Sequence, residues 1–324
     1  MKAAVVFEKG SLPRYTDQFP APVPSGEHEQ IMQVKAVSLK HLDKMRASGQ
    51  HYSTQDRAWQ PRIPGGDAAG VLADGTRVYA LGLSGTLAET ALIDRNTIVH
   101  IPEGLDDLSA AALPNAVMGS AMALRFRAQI QPGQTVLING ATGFTGKVAV
   151  QLAKHYGAAC VIATGRNSGV LESLRGLGAD QLVSLHQEPE AIQTQLRALH
   201  QQYAIDIVLD YLWGASAELI LDTLKGNGSY SHPVSYVSIG GMAGDKISLS
   251  SSILRGTDIR LCGSGLGSWS AQEVQELIRN ILPELFTLAA AGGLRADTQA
   301  LPLEDIASVW QMDQYGGTRI VVTI

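Results

Sequence analysis

The run VLINGATGFTGKVAVQLAK, residues 136–154, joins two hydrophobic periods at a glycine-rich turn. Val136-Leu137-Ile138 is a continuous apolar run of the kind that builds a strand buried on both faces. Val148 and Leu152, with Ala149 and Ala153, repeat at helical spacing. Between them stands G-x-x-G-x-x-G. Gly140 and Gly143 let the backbone turn tightly and admit a ligand, while Gly146 lets the helix lie close to the strand. A helix opening there offers unpaired N–H groups and the positive end of its dipole, which suits a diphosphate. The candidate phosphate-binding turn is therefore Gly140, Ala141, Thr142, Gly143, Phe144, Thr145 and Gly146. A turn of this kind can also pack without a ligand, so its surroundings decide the reading.

Those surroundings alternate. From about residue 134 to 261, strand-like runs (135–139, 160–164, 181–183, 205–210, 235–239) are separated by helical stretches (147–156, 169–177, 189–202, 215–224). Such alternation specifies a parallel sheet covered on both faces, and with the glycine turn it specifies dinucleotide binding. The first 115 residues read as a β-rich domain, broken by Pro20, Pro22, Pro24, Pro61 and Pro64, with a helical pattern only at 108–113. After about Ser270 an amphipathic stretch carries Val274, Leu277, Ile278, Ile281, Leu285 and Leu288, broken near Pro283, before a last strand at 319–323. The domains expected are residues 1–115, an inserted 116–262, and a return at 263–324.

Composition removes other classes. Net charge is -5, so phosphate backbones find no attracting field and no nucleic-acid partner is expected. Apolar runs fall short of the ~20 residues of a membrane helix, and the start MKAAVVFE reads as a strand and not as a signal; no membrane partner and a cytoplasmic location are expected. Two cysteines, Cys160 and Cys262, exclude a disulfide scaffold, and the eight histidines form no H-E-x-x-H, so no metal is expected.

The second strand indicates which dinucleotide. A carboxylate for a ribose 2′-hydroxyl would stand about twenty residues past the glycines; the chain has Thr164-Gly165-Arg166-Asn167-Ser168 instead. Arg166 can pair with a 2′-phosphate, which makes NADPH the expected cofactor, with Thr164, Gly165, Asn167 and Ser168 beside it. The competing reading makes Arg166 a solvated loop residue and Ser168 a helix N-cap.

These residues resemble the zinc-independent quinone oxidoreductase branch of the medium-chain dehydrogenase/reductases. The resemblance rests on 138–157 (INGATGFTGKVAVQLAKHYG) and extends to VKAVSL at 34–39 with Asp43, PGGDAAG at 64–70, GTRVY at 75–79, IPEGL at 101–105 and QPGQTVLI at 131–138. It implies an α/β fold, with a GroES-like β-rich catalytic domain, an inserted Rossmann doubly wound parallel sheet, and an active site in the cleft between them. It further implies hydride transfer from NADPH to a quinone or to an α,β-unsaturated carbonyl, a small-molecule substrate. Where zinc members carry a His ligand, this chain has Gly66. It departs from the branch at Lys40, where Asn is usual, and at Met45, where Tyr is usual.

The resemblance places Lys40, His41, Asp43, His51 and Tyr52 at the active site. Lys40 or Tyr52 can donate a hydrogen bond to a developing enolate, and His51 can relay a proton. The plain alternatives are a solvated Lys40–Asp43 pair and a loop in which His51 and Tyr52 serve as amphipathic cover. Ile239, Gly240 and Gly241 follow a strand at the ligand-binding edge of the sheet, and Asn115, Met118 and Ser120 stand at the domain junction. Gly265 belongs to a loop that is either a hinge or a cover for the cofactor. The aromatics of Asp210-Tyr211-Leu212-Trp213-Gly214 are either a wall of the site or plain packing, and Asn227-Gly228-Ser229 is an ordinary turn. Two further readings stay open: a non-catalytic NADPH-binding, crystallin-like protein, and alcohol dehydrogenation, for which the Lewis acid is lacking. The strand at 257–262 is expected at the sheet edge, where pairing with a second copy would give a homodimer.

Overall fold

The computed structural model describes residues 1–49, 59–226, 231–312 and 315–324. His51, Tyr52 and the sequon at 227–229 lie outside the described residues. The chain forms two compact units, Met1–Pro114 with Ile278–Ile324, and Asn115–Leu277. The second is inserted in the first and runs past the division expected at 262.

The first unit opens with an antiparallel ribbon of β1 (Ala3–Val5) and β2 (Arg14–Thr16). Then come β3 (Glu29–Ser38), α1 (His41–Ser48), β4 (Asp67–Val71), β5 (Arg77–Leu81), β6 (Thr90–Asp94), β7 (Val99–His100) and α2 (Asp107–Met122). In β3 the period of two is plain: Met32, Val34 and Ala36 are buried while Gln33 and Lys35 face water. The helix expected at 108–113 is longer. It continues through Pro114 to Met122 and ends in a wider π-type turn at Ala123–Arg127. Ala110–Leu113, Ala116, Val117, Ala121 and Met122 are all buried, so an apolar surface on every side hid the period.

The second unit alternates β8 (Thr135–Asn139), α3 (Phe144–His155), β9 (Cys160–Gly165), α4 (Ser168–Ser173), β10 (Gln181–Ser184), α5 (Pro189–Tyr203), β11 (Ile205–Asp210), α6 (Gly214–Thr223), β12 (Val234–Ser238), α7 (Ser251–Gly256) and β13 (Ile259–Gly263). α5 shows how the helices dock: Pro189 starts it, and Ile192, Leu196 and Leu199 make its buried stripe. The six strands are all parallel in the order β10-β9-β8-β11-β12-β13. Strand order reverses between β8 and β11, where a doubly wound sheet opens a crevice at its carboxyl edge. Five consecutive buried residues in β8 put the sheet core there.

After α8 (Ala271–Glu276) a π-type turn at Leu277–Ile281 leads into α9 (Leu282–Ala290), then β14 (Thr298–Pro302), α10 (Ile306–Val309) and β15 (Arg319–Thr323). Pro283 begins α9, in the first turn where its missing N–H costs nothing. β15 completes the first unit's sheet, in the order β14-β15-β3-β4-β5-β7 with β6 also on β3. Its core holds Met32, Val34, Val37, Leu39, Ile93 and Val322.

Candidate functional site

Each glycine of the β8–α3 turn has its own steric reason. Gly140 has φ +87, a left-handed conformation closed to most side chains. A Cβ on Gly146 would lie 2.5 Å from the Gly140 carbonyl oxygen and 2.6 Å from Ala141 Cα, so this residue lets α3 approach the strand. A Cβ on Gly143 would meet only the Gly140 oxygen, at 3.7 Å, which leaves that side of the turn open. Gly143 is also the N-cap of α3, and no side chain caps the helix. The residues therefore form a cradle whose open side faces the helix N-terminus, and they fit a nucleotide diphosphate.

A string of buried polar groups holds the carboxyl ends of four adjacent strands. Thr164 Oγ1 donates to Asn139 Oδ1 (2.8 Å), Asn139 Nδ2 donates to Asp210 Oδ1 (2.8 Å), and the Tyr236 hydroxyl donates to Asp210 Oδ2 (2.7 Å). All four residues are fully buried. Burial and the adjacent Asp210 carboxylate raise the Tyr236 pKa, which keeps this donor protonated. Thr164 also ties down the glycine turn, since its Oγ1 accepts from Gly140 N–H and its carbonyl from Ala141 N–H.

The strand-end loops are drawn to the same edge. Ile239 and Gly240 N–H both donate to the Asp210 carbonyl. Asp210 Oδ1 accepts from the amides of Leu212 and Trp213, and Trp213 has φ +59, strained for a residue with a side chain. A Cβ on Gly119 would touch Thr145 and Ile239 side chains, and Ser120 Oγ shares a 2.9 Å hydrogen bond with Tyr211, so the second half of α2 borders the turn. Tyr211 is thus bound through its hydroxyl in the site region. The structure brings together Gly140–Gly146, Thr164, Gly165 and Ile239–Gly241, with Asn115 half-buried on α2. Gly165 packs on Thr142 so closely that a Cβ would clash. Arg166 is exposed and makes no ion pair among the described residues. Asn167, not Ser168, is the N-cap of α4: its Oδ1 accepts from Val170 N–H at 3.1 Å. Gly265 is exposed at the start of a short 3-10 turn, next to Ser264, whose N–H donates to the Ser238 carbonyl at 2.9 Å.

Lys40 requires a correction. It is no solvated pair with Asp43; it is 4% exposed. Its ammonium donates to the Ser38 carbonyl (3.0 Å) and to Asp67 Oδ1, and pairs with Asp43 Oδ2 at 3.3 Å. Two N–H groups of the ammonium are thus hydrogen-bonded, and the charge is paired within the protein. Tyr79 donates to the other Asp67 oxygen at 2.7 Å. With Arg319, also buried, the group is two cations and two carboxylates. Burial opposes the charge on Lys40, but Asp43 and Asp67 outweigh it and raise the Lys40 pKa. Burial raises that of Asp43, and pulls Arg319 down to about 10 against both carboxylates. His41 is exposed at the first position of α1.

These geometries define a class: a β-rich unit carrying an inserted doubly wound unit with a dinucleotide-type turn. Residues 145–282 match the family described as zinc-binding dehydrogenase. The chain is 29% identical to the probable NADPH-dependent quinone reductase tdiC of Emericella nidulans, with 99% of each chain covered. It is 27% identical to the quinone oxidoreductase of Sus scrofa, over 86% of this chain and 84% of that one. The solved quinone oxidoreductase of Thermus thermophilus is similar with a TM-score of 0.77 and 27% identity over 100% of both chains. These likenesses support a quinone oxidoreductase-like member of the medium-chain dehydrogenase/reductases.

Proposed function

We propose that the protein is an NADPH-dependent reductase that delivers hydride to a quinone or to the β-carbon of an α,β-unsaturated carbonyl. The observation that carries this reading is the open, uncapped glycine turn at the strand-order reversal. The names of the similar proteins support it: one is a probable NADPH-dependent quinone reductase, and another was solved in complex with NADPH.

Gly140 to Gly146 would hold the diphosphate with backbone amides. Arg166, exposed and without an ion-pair partner among the described residues, would meet the 2′-phosphate, beside Thr164, Gly165, Asn167 and Ser168. Ile239, Gly240 and Gly241, with Asn115 and Thr145, would position the nicotinamide, and Gly265 would belong to a covering loop. Bound there, NADPH supplies the hydride, and the residues' tasks are orientation and exclusion of water. Tyr52 is the proposed donor to the acceptor oxygen, with His51 or water supplying the proton.

The residues do not fit a zinc ion. Gly66 offers no donor side chain, the Lys40 ammonium already bridges Asp43 and Asp67, and no group of three His, Cys, Asp or Glu suited to a metal occurs among the described residues. A homodimer through β13 is proposed because that strand ends the sheet with one edge unpaired by any other described strand. No helix among the described residues is long and apolar enough to cross a membrane.

The test is NADPH absorbance on addition of an ortho-quinone or an enone. Consumption that depends on both protein and acceptor supports the reading; NADPH binding without turnover across a broad acceptor panel overturns it.

A further inference from the structure

A cavity of about 150 Å³ opens within the first unit. Val6, Ile63 and Pro64 form its apolar wall, and Asp43, Arg46 and Arg62 its charged one. At roughly 30 Å³ per water it holds about five water-sized groups, the size of a short organic molecule.

Two of its three charged residues are engaged within the protein. Asp43 commits Oδ2 to the Lys40 amide (3.0 Å) and ammonium (3.3 Å), and with Asp67 it is matched by Lys40 and Arg319. Arg62 stacks on the Trp59 ring at 3.7 Å and reaches the Arg46 carbonyl at 3.5 Å. The Arg46 side chain stands apart from these contacts. Half-buried in the last turn of α1, it makes no side-chain hydrogen bond or ion pair among the described residues. A guanidinium in this setting lacks the counter-ion that partial burial calls for, and its planar fork fits a carboxylate through two parallel hydrogen bonds.

Gly66 keeps the approach clear. A Cβ there would stand 3.4 Å from Arg46 Nη1 and 3.9 Å from Asp43 Oδ1, in the space a ligand would use. An uncharged carbonyl would leave the guanidinium uncompensated, whereas a carboxylate neutralises it and places its carbon chain on the apolar wall.

We propose that this cavity binds the carboxylate of a small organic acid, and that the acids reduced by the protein are α,β-unsaturated ones held through Arg46. The class of acid rests on the reductase reading above; the anion site stands on the first unit alone.

Titration calorimetry with crotonate and its uncharged isostere crotonamide tests it. The wild type is expected to bind crotonate at least tenfold more tightly than crotonamide. Arg46→Gln should weaken crotonate roughly tenfold to a hundredfold, the usual worth of a charge-assisted pair. Gly66→Ala retains every charge yet narrows the cavity, so it should weaken crotonate as well and serves if Arg46→Gln does not fold. Equal affinity for acid and amide, or unchanged crotonate binding in the folded variants, overturns the proposal. Crotonate binding without NADPH consumption by any acceptor would remove the reductase reading and leave the site. Turnover of enones with no binding of crotonate would do the reverse.

Discussion

Lys40→Met is the most informative perturbation of the first unit. Methionine keeps most of the aliphatic volume and removes the ammonium that joins Ser38, Asp43 and Asp67. Two carboxylates then share a buried pocket with only Arg319 as cation. Breaking one partner out of a buried ion pair costs about 3–5 kcal/mol. At 2–4 °C per kcal/mol for a domain of this size class, Tm at pH 7 should fall by about 6–20 °C. The pH dependence has a definite sign. The folded Lys40 pKa is raised, so its stabilisation is complete below the ordinary lysine value and disappears as pH rises through the folded one. In the variant, Asp43 is already raised by burial and loses its lysine, so protonation relieves it: stability should climb as pH drops from 7 towards 5. Adding Asp67→Asn to Lys40→Met should restore part of the loss, because one orphaned charge is removed. Thermal unfolding followed by circular dichroism reads all three. A Tm within 2 °C of wild type, or losses that simply add in the double variant, would refute the reasoning.

Three other outcomes follow from the second unit. Arg166→Ala should raise the KM for NADPH roughly tenfold or more and leave that for NADH nearly unchanged; parallel shifts, measured by initial rates, would remove Arg166 from the 2′-phosphate. Gly146→Ala places a Cβ 2.5 Å from the Gly140 oxygen, so stability should drop by about 1–3 kcal/mol in urea unfolding and NADPH affinity should fall with it; wild-type behaviour would mean the turn has room. Burial, helped by Asp180 and opposed by Lys154, pushes the Cys160 thiol up to about 11. Its thiolate fraction at pH 7.5 is then on the order of 0.03%, so native protein should label slowly at Cys160 and urea-unfolded protein quickly.

Much of the second unit could be read from spacing, because its signals are local. The β8 run, three glycines six residues apart end to end and the α3 repeat lie within twenty residues, and each glycine's reason is a neighbour in that same turn. The division near Pro283 was legible for the same reason, since a proline fits the first turn of a helix, and α9 opens there. The Lys40 network was hidden in the sequence. Lys40 meets Asp67 where β4 pairs with β3, Tyr79 joins from β5, and Arg319 arrives only when β15 closes the sheet on β3. Likewise Asn139 and Asp210 are joined by the parallel register of β8 and β11, a pairing with no imprint on either segment. Arg46 carries no signal of its own in the sequence, and only the cavity beside Gly66 sets it apart.

A crystal structure with NADPH bound tests the central claim most directly. Diphosphate oxygens are expected within hydrogen-bond distance of the backbone amides at the start of α3, and the 2′-phosphate beside Arg166. Nucleotide bound elsewhere, or an empty glycine turn at saturating NADPH, would contradict it.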